Sequence, residues 1–267
     1  MIIGITSEAR VNDFAATLIA RLASSGHTPA FVVCCRQRTQ SGWKNRLKRV
    51  VTDSAAAARL QRYRNASPEA TRCLKAHAEA RQLRGWDWPL AHLCDAHQME
   101  LRHGGGMNDR ETIDYVRRRD TDLLINAGGG IFRQGLIAAA RIGILNAHMG
   151  SLPAFRGMNV LEWSLLLDQP AAVTVHLIDR GIDTGDILLS GNIPRETGDS
   201  IATLRARALV TSIDLMVKAV EGLASSQLQR SGQRPDGGVQ YFAMHPRLKE
   251  IVESKLRTNR EVTDGST

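Results

Sequence analysis

Residues 2–35 read IIGITSEARVNDFAATLIARLASSGHTPAFVVCC, and the fold class turns on how they are parsed. Residues 2–6 form a short apolar run closed by Ser7 and Glu8, the pattern of a buried strand. From 11 to 24 the apolar positions recur at helical spacing through Phe14, Leu18, Ile19 and Leu22, and Gly26 supplies the stop. Residues 29–35 return to a buried strand. A strand–helix–strand opening predicts a parallel sheet with right-handed crossovers, and so an α/β fold. No G-x-G-x-x-G follows the first strand, which argues against a dinucleotide site.

Outward from this opening, residues 99–103 are expected to form a short edge strand. Residues 90–94 fit either a helix end or a connecting strand. Asn108 with Glu111 three positions on predicts a capping box ahead of a helix over 111–119. Residues 122–127 (DLLINA) predict a central strand, which ends in Gly128-Gly129-Gly130-Ile131-Phe132. Consecutive glycines let backbone approach a flat ligand closely, or simply turn a strand into a helix.

Residues 142–157, IGILNAHMGSLPAFRG, carry the chemistry. Their apolar start is a buried strand, and alternation puts Asn146 and His148 on one face at its end. Gly150, Ser151 and Pro153 then turn the chain, and a helix is expected over 160–167 with Trp163 and Leu166 in the core. Downstream, residues 173–178 (VTVHLI) predict a strand with His176 in its middle as a core histidine. It runs into a loop bearing Asp179, Asp183 and Asp186. An amide can donate to a developing oxyanion, an imidazole can donate or move a proton, and a carboxylate can hold the imidazole's tautomer. No serine or cysteine nucleophile stands at an obvious spacing, which suggests direct acyl-type transfer. Any one of the three acids could instead cap the turn.

The set Asn146-x-His148, Leu152-Pro153, Arg156-Gly157 and, about 35 residues later, Asp183-Thr184-Gly185 resembles the folate-dependent formyltransferase superfamily. That superfamily includes glycinamide ribonucleotide, methionyl-tRNA and sugar N-formyltransferases. The resemblance runs from about 122 to 189. It implies a Rossmann-like, doubly wound, mostly parallel sheet and 10-formyltetrahydrofolate as formyl donor. It further implies catalytic roles for Asn146, His148 and Asp183, and a supporting role for His176. Folate contacts would come from Gly129, Gly130, Ile131, Phe132, Ile182 and Asp183. Met149-Gly150-Ser151 departs from the transfer-RNA enzymes toward the sugar-type members.

The charge is unevenly distributed. Residues 36–64 hold nine basic residues against the single acid Asp53; nine minus one equals the whole chain's net charge of +8. This run opens an insertion over about 36–89, read either as a solvated helical face or as a steering surface for an anionic substrate. Its aromatic content, Trp43 and Tyr63, is too thin for base stacking. Four cysteines, Cys34, Cys35, Cys73 and Cys94, lack metal-ligand spacing, so no metal is expected and reduced structural thiols are. No targeting segment and no run of membrane-spanning length is seen, which points to the cytoplasm.

A long amphipathic helix is expected over 201–223, with Leu204, Ala208, Ile213, Met216 and Val220 inward. The expected division is a catalytic domain over 1–223 and a short C-terminal extension over 224–267. About 40 residues after the long helix are too few for the extra barrel of the transfer-RNA enzymes, so transfer RNA is not the expected acceptor. The reading is an N-formyltransferase acting on a small, anionic primary amine, first a nucleotide-linked amino sugar. A homodimer is left open. The alternatives are a 10-formyltetrahydrofolate deformylase and a non-catalytic nucleic-acid-binding relative.

Overall fold

The structure is a computed structural model and describes residues 1–35, 67–128, 130–234 and 236–264. The basic run 36–64 therefore lies outside the described residues. In chain order the elements are β1 (Ile3–Ser7), α1 (Asp13–Ser24), β2 (Phe31–Cys35), α2 (Pro68–Ala80), α3 (Leu90–Ala96), β3 (Glu100–Gly104), α4 (Arg110–Arg118), β4 (Leu123–Asn126) and α5 (Gln134–Ile137). There follow β5 (Gly143–His148), β6 (Phe155–Gly157), α6 (Val160–Leu166), β7 (Ala172–Leu177), β8 (Ile187–Asn192), α7 (Ile201–Ala224), β9 (Val239–Tyr241) and α8 (Pro246–Asp264). The class is α/β with a mostly parallel, seven-strand sheet. Two compact units form, one within Met1–Ala66 and Leu83–Gly143, the other within Ser67–Gln82 and Ile144–Thr267.

In the first unit four parallel strands stand in the order β3-β2-β1-β4, with Ile5 beside Val32 and Ile125. β1 and β2 are buried at every position, as inner strands of a parallel sheet covered on both faces are, with Thr6 and Ser7 the polar residues of β1. β3 stands at the sheet edge, where its Glu, Arg and His are tolerated. Residues 90–94 resolve as the helix α3. Ile3, Ile5, Leu18, Ile19, Leu22, Phe31 and Leu123 to Ile125 make the core. Full burial of each such side chain contributes roughly 1.5–3 kcal/mol.

Asn12 ties three elements of this unit. Its carbonyl oxygen accepts from the Ala15 amide at 3.1 Å, capping α1, while its amide nitrogen donates to the carbonyl of Ala127 at 2.7 Å and to Ser7 Oγ at 3.1 Å. The expected capping box at Asn108 does not form. Asp109 occupies the cap position of α4, and Asn108 is diverted to donate to the carbonyl of Ile131 and accept from the amide of Arg133, both at 2.7 Å. A tertiary demand for paired loop backbone outcompetes the local motif there. All four cysteines are thiols outside any disulfide, and burial pushes the Cys94 thiol up to about 11.

In the second unit β5, β7 and β8 are antiparallel neighbours in that order. α7 carries Leu204, Ala208, Ile213, Met216 and Val220 as buried residues, as its periodicity predicts. Ser200 begins it with a reciprocal cap: its hydroxyl accepts from the Thr203 amide at 3.1 Å, and its own amide donates to Thr203 Oγ1 at 2.8 Å. Trp163 and Leu166 are only half-buried, a correction to the sequence expectation. The inward face of α6 is instead Val160, Leu161, Glu162, Ser164 and Leu165. Glu162 can be buried because Arg205 from α7 donates to both its oxygens at 2.7 and 2.9 Å. Residues 224–267 lie in this second unit and supply β9, which pairs in parallel with β6.

Candidate active site

β5 and β7 run antiparallel with Asn146 opposite His176 and His148 opposite Thr174. Residues directly opposite in a ladder share a face, and so do residues two apart along a strand. All four side chains therefore project to one side. The ladder between β7 and β8 shifts register at Val175 and His176, the kind of irregularity that re-aims a side chain.

Hydrogen-bonding partners fix the tautomers. His176 Nδ1 lies 2.9 Å from the carbonyl of Leu177, which can only accept, so Nδ1 carries the hydrogen. Its Nε2 is then an acceptor, and the side-chain nitrogen of Asn146 donates to it at 3.1 Å. His176 is 1% exposed, and burial holds its pKa below the ordinary histidine value, with the Asp183 charge pulling the other way. It is therefore the neutral imidazole that orients the Asn146 amide. His148, also buried, donates from Nε2 to the carbonyl of Phe155 at 2.8 Å. That leaves His148 Nδ1 facing Asp183 Oδ2 at 3.4 Å.

Asp183 reaches both histidines, its other oxygen lying 3.6 Å from His176 Nε2. The residue sits in the left-handed region, at φ 54°, in the loop between β7 and β8. Aspartate tolerates that conformation better than most side chains, though not without cost. The Gly157 amide donates to its Oδ2 at 2.9 Å. Gly157 itself has φ +96°, and a Cβ there would fall 2.2 Å from the carbonyl of Tyr241, so only glycine permits this approach. Of the three acids in the loop, Asp179 is consumed locally, accepting from the Gly181 amide at 3.0 Å and Thr184 Oγ1 at 2.6 Å.

The structure thus brings Asn146, His148, His176 and Asp183 together within one unit. An amide, an imidazole and a carboxylate so arranged can stabilise charge growing on a carbonyl oxygen and relay a proton. The remaining candidates stand elsewhere. Gly129 lies outside the described residues, and Gly130, Ile131 and Phe132 belong to the first unit. There the Asn108 clamp holds a loop whose Ile131 side chain is 75% exposed while Phe132 packs inward. Ile182, beside Asp183, is 41% exposed. Sequence reasoning missed two contributors, Gly157 through its amide and Gln233. Gln233 donates to the carbonyls of Asp183 and Gly185 and accepts from Arg156. Gly157 stands in the Arg156-Gly157 motif but with no role read for its amide, and Gln233 has no periodicity or motif signal.

Known proteins resemble this chain in sequence and in fold. Residues 19–220 match the formyl transferase family. A methionyl-tRNA formyltransferase of Solibacter usitatus (strain Ellin6076) is 32% identical over 142 residues, which are 52% of this chain and 46% of that protein. The chain spans about half the length of the curated relatives it matches. The fold is shared with glycinamide ribonucleotide transformylase 1 from Symbiobacterium toebii, at TM-score 0.57 and 19% identity, covering 91% of this chain and 95% of that one. It is shared too with the N-formyltransferase from Helicobacter canadensis, solved with folinic acid and dTDP-3-aminofucose, at TM-score 0.57 and 13% identity, covering 98% and 82%. With its fold and its match over most of the sequence, the chain belongs to the formyl transferase family.

Proposed function

We propose that this chain is an N-formyltransferase that moves a formyl group from 10-formyltetrahydrofolate to a primary amine in the cytoplasm. The observation that carries the reading is the convergence of Asn146, His148 and Asp183, with the Asp183 carboxylate 3.4 Å from the His148 ring. When bound, 10-formyltetrahydrofolate would supply an electrophilic formyl carbon: a carbon–nitrogen bond forms to the amine, the bond to the donor nitrogen breaks, and one proton passes from the amine to that nitrogen.

The chain's own residues account for the rest. The Asn146 amide, oriented by His176, donates to a carbonyl oxygen as it gains charge, and His148, whose Nε2 is spent on the Phe155 carbonyl, adds a second donor there as the imidazolium, through an Nδ1–H shared with Asp183. Asp183, fixed by the Gly157 amide, holds the imidazole and receives the amine proton for return to the leaving nitrogen. Gly129, Gly130, Ile131, Phe132, Ile182 and Asp183 are assigned to donor binding. The inward packing of Phe132 favours contact through this loop's backbone and through Ile131.

The proposed acceptor is a small anionic amine, first a nucleotide-linked amino sugar, in keeping with the excess of basic charge. The Helicobacter canadensis neighbour, solved with dTDP-3-aminofucose, supports that choice. A second reading, transfer RNA charged with an amino acid, is favoured by the methionyl-tRNA formyltransferases among the relatives. A single experiment tests the catalytic assignment. Asn146→Ala, His148→Ala and Asp183→Ala should each lower turnover about 10²–10⁴-fold while unfolding normally. Near-wild-type turnover in all three would remove the assigned roles.

A further inference from the structure

Residues 231–234 and β9 both reach Asp183 or the groups that hold it. Ser231 and Ile187 exchange two backbone hydrogen bonds of 2.9 Å, laying the segment antiparallel along the end of the catalytic loop. Two residues on, Gln233 spends its side-chain nitrogen on that loop, donating to the carbonyl of Asp183 at 3.0 Å and of Gly185 at 2.6 Å. A primary amide has two N–H bonds, so one serves each carbonyl. On its other side Gln233 Oε1 accepts from the buried Arg156 guanidinium at 3.2 Å, and Arg156 also donates to the carbonyl of Arg234 at 3.1 Å. Further along, β9 pairs with β6 and so places Gly157, whose amide holds the Asp183 carboxylate.

We infer that Gln233 is a positioning residue for the proposed reaction: its amide clamps the Asp183–Gly185 backbone so that the carboxylate meets His148. This rests on the formyltransferase reading for its kinetic consequence, but not for its geometry. Asp183 occupies a left-handed conformation that the chain does not prefer. Something must hold it there, and two carbonyls turned toward one amide is a specific hold. The polarity of the clamp matters. Only an N–H donor can satisfy two carbonyls, whereas Arg156 would donate to a carboxylate at least as readily as to an amide oxygen.

Gln233→Glu therefore separates clamping from mere packing. It keeps size and an acceptor for Arg156, but removes both donors and aims negative charge at the loop. Gln233→Ala removes everything. Under the inference both variants lose kcat by about 10–100-fold, with KM for donor and amine within twofold of wild type. Amide exchange at Gly157 speeds at least tenfold in both, while exchange within α7 is unchanged. A Gln233→Glu enzyme with wild-type kcat and wild-type Gly157 protection would overturn the inference, whatever Gln233→Ala does. If wild type turns over no formyl donor with any amine, the functional reading falls first. Gly157 exchange alone then decides whether the clamp exists: unchanged protection in both variants removes it, and lost protection retains it.

Discussion

The side-chain amide of Asn146 donates to Nε2 of His176 across 3.1 Å, from paired positions on two antiparallel strands. Because His176 keeps its hydrogen on Nδ1 for the Leu177 carbonyl, the imidazole can serve Asn146 only as an acceptor, and the amide has one orientation. His176→Phe removes that acceptor while keeping an aromatic in the core. Turnover should fall about tenfold with little change in donor affinity, an effect of lost orientation. Steady-state kinetics over a donor series checks this, and unchanged kcat would separate His176 from the chemistry.

Acid should weaken the second unit through the same ring. The folded pKa of His176 lies below its ordinary value of 6.5, because burial disfavours the charged form. A base with a depressed folded pKa is protonated more readily in the unfolded chain. Its contribution is thus fully present above about pH 6.5 and is lost as pH falls through the folded pKa. Urea unfolding at pH 7.5, 6.5 and 5.5 should show wild type losing stability faster on acidification than His176→Gln. Parallel curves would contradict it.

The Glu162 carboxylate is buried against a forked arginine, and this gives the partly exposed Arg205 a large expected stability effect. Arg205 is two-fifths exposed, so part of its charge is screened; Glu162 is 1% exposed. Arg205→Met would leave the buried carboxylate with the Asn159 amide, at 3.5 Å, and Lys249, at 3.9 Å, in range. The expected cost is about 2–3 kcal/mol, below the full penalty for breaking a buried pair. Adding Glu162→Gln should recover at least half of it. Equilibrium unfolding of the single and double variants reads both.

The start of α7 offers a smaller effect with a clean cause. Ser200→Ala leaves the Thr203 amide without its cap and should cost about 1 kcal/mol. Ser200→Asn should cost less than half of that, since its side chain can cap equally well. A thermal-unfolding comparison suffices.

What could be read in the sequence was what local pattern dictates. β1, α1 and β2 appear where short apolar runs and a helical stripe place them, since strands buried on both faces and one-sided helices leave periodic marks. The shared face of Asn146 and His148 follows from alternation alone. The acid was different. Asp179, Asp183 and Asp186 are equivalent as composition, and only family resemblance picked out Asp183. Structurally, Asp179 is spent on its own turn, while Asp183 is turned inward by Gly157 and Gln233, 26 and 50 residues away. Such partners are joined by tertiary contact, not periodicity. The same reason hid β6, a three-residue strand whose partner β9 lies some 80 residues on, and Asn108, whose cap-like spacing was overridden by the Ile131 loop.

The central claim is formyl transfer to an amine, and the most direct measurement is release of tetrahydrofolate from 10-formyltetrahydrofolate by the full chain. Nucleotide-linked amino sugars, glycinamide ribonucleotide, free amino acids and charged initiator transfer RNA would be offered separately, beside a no-amine control and the Asp183→Ala variant. The account predicts release that requires one amine class and that disappears in the variant. Release without any amine would identify a deformylase instead, and no release with any amine, together with no folate binding, would contradict the account.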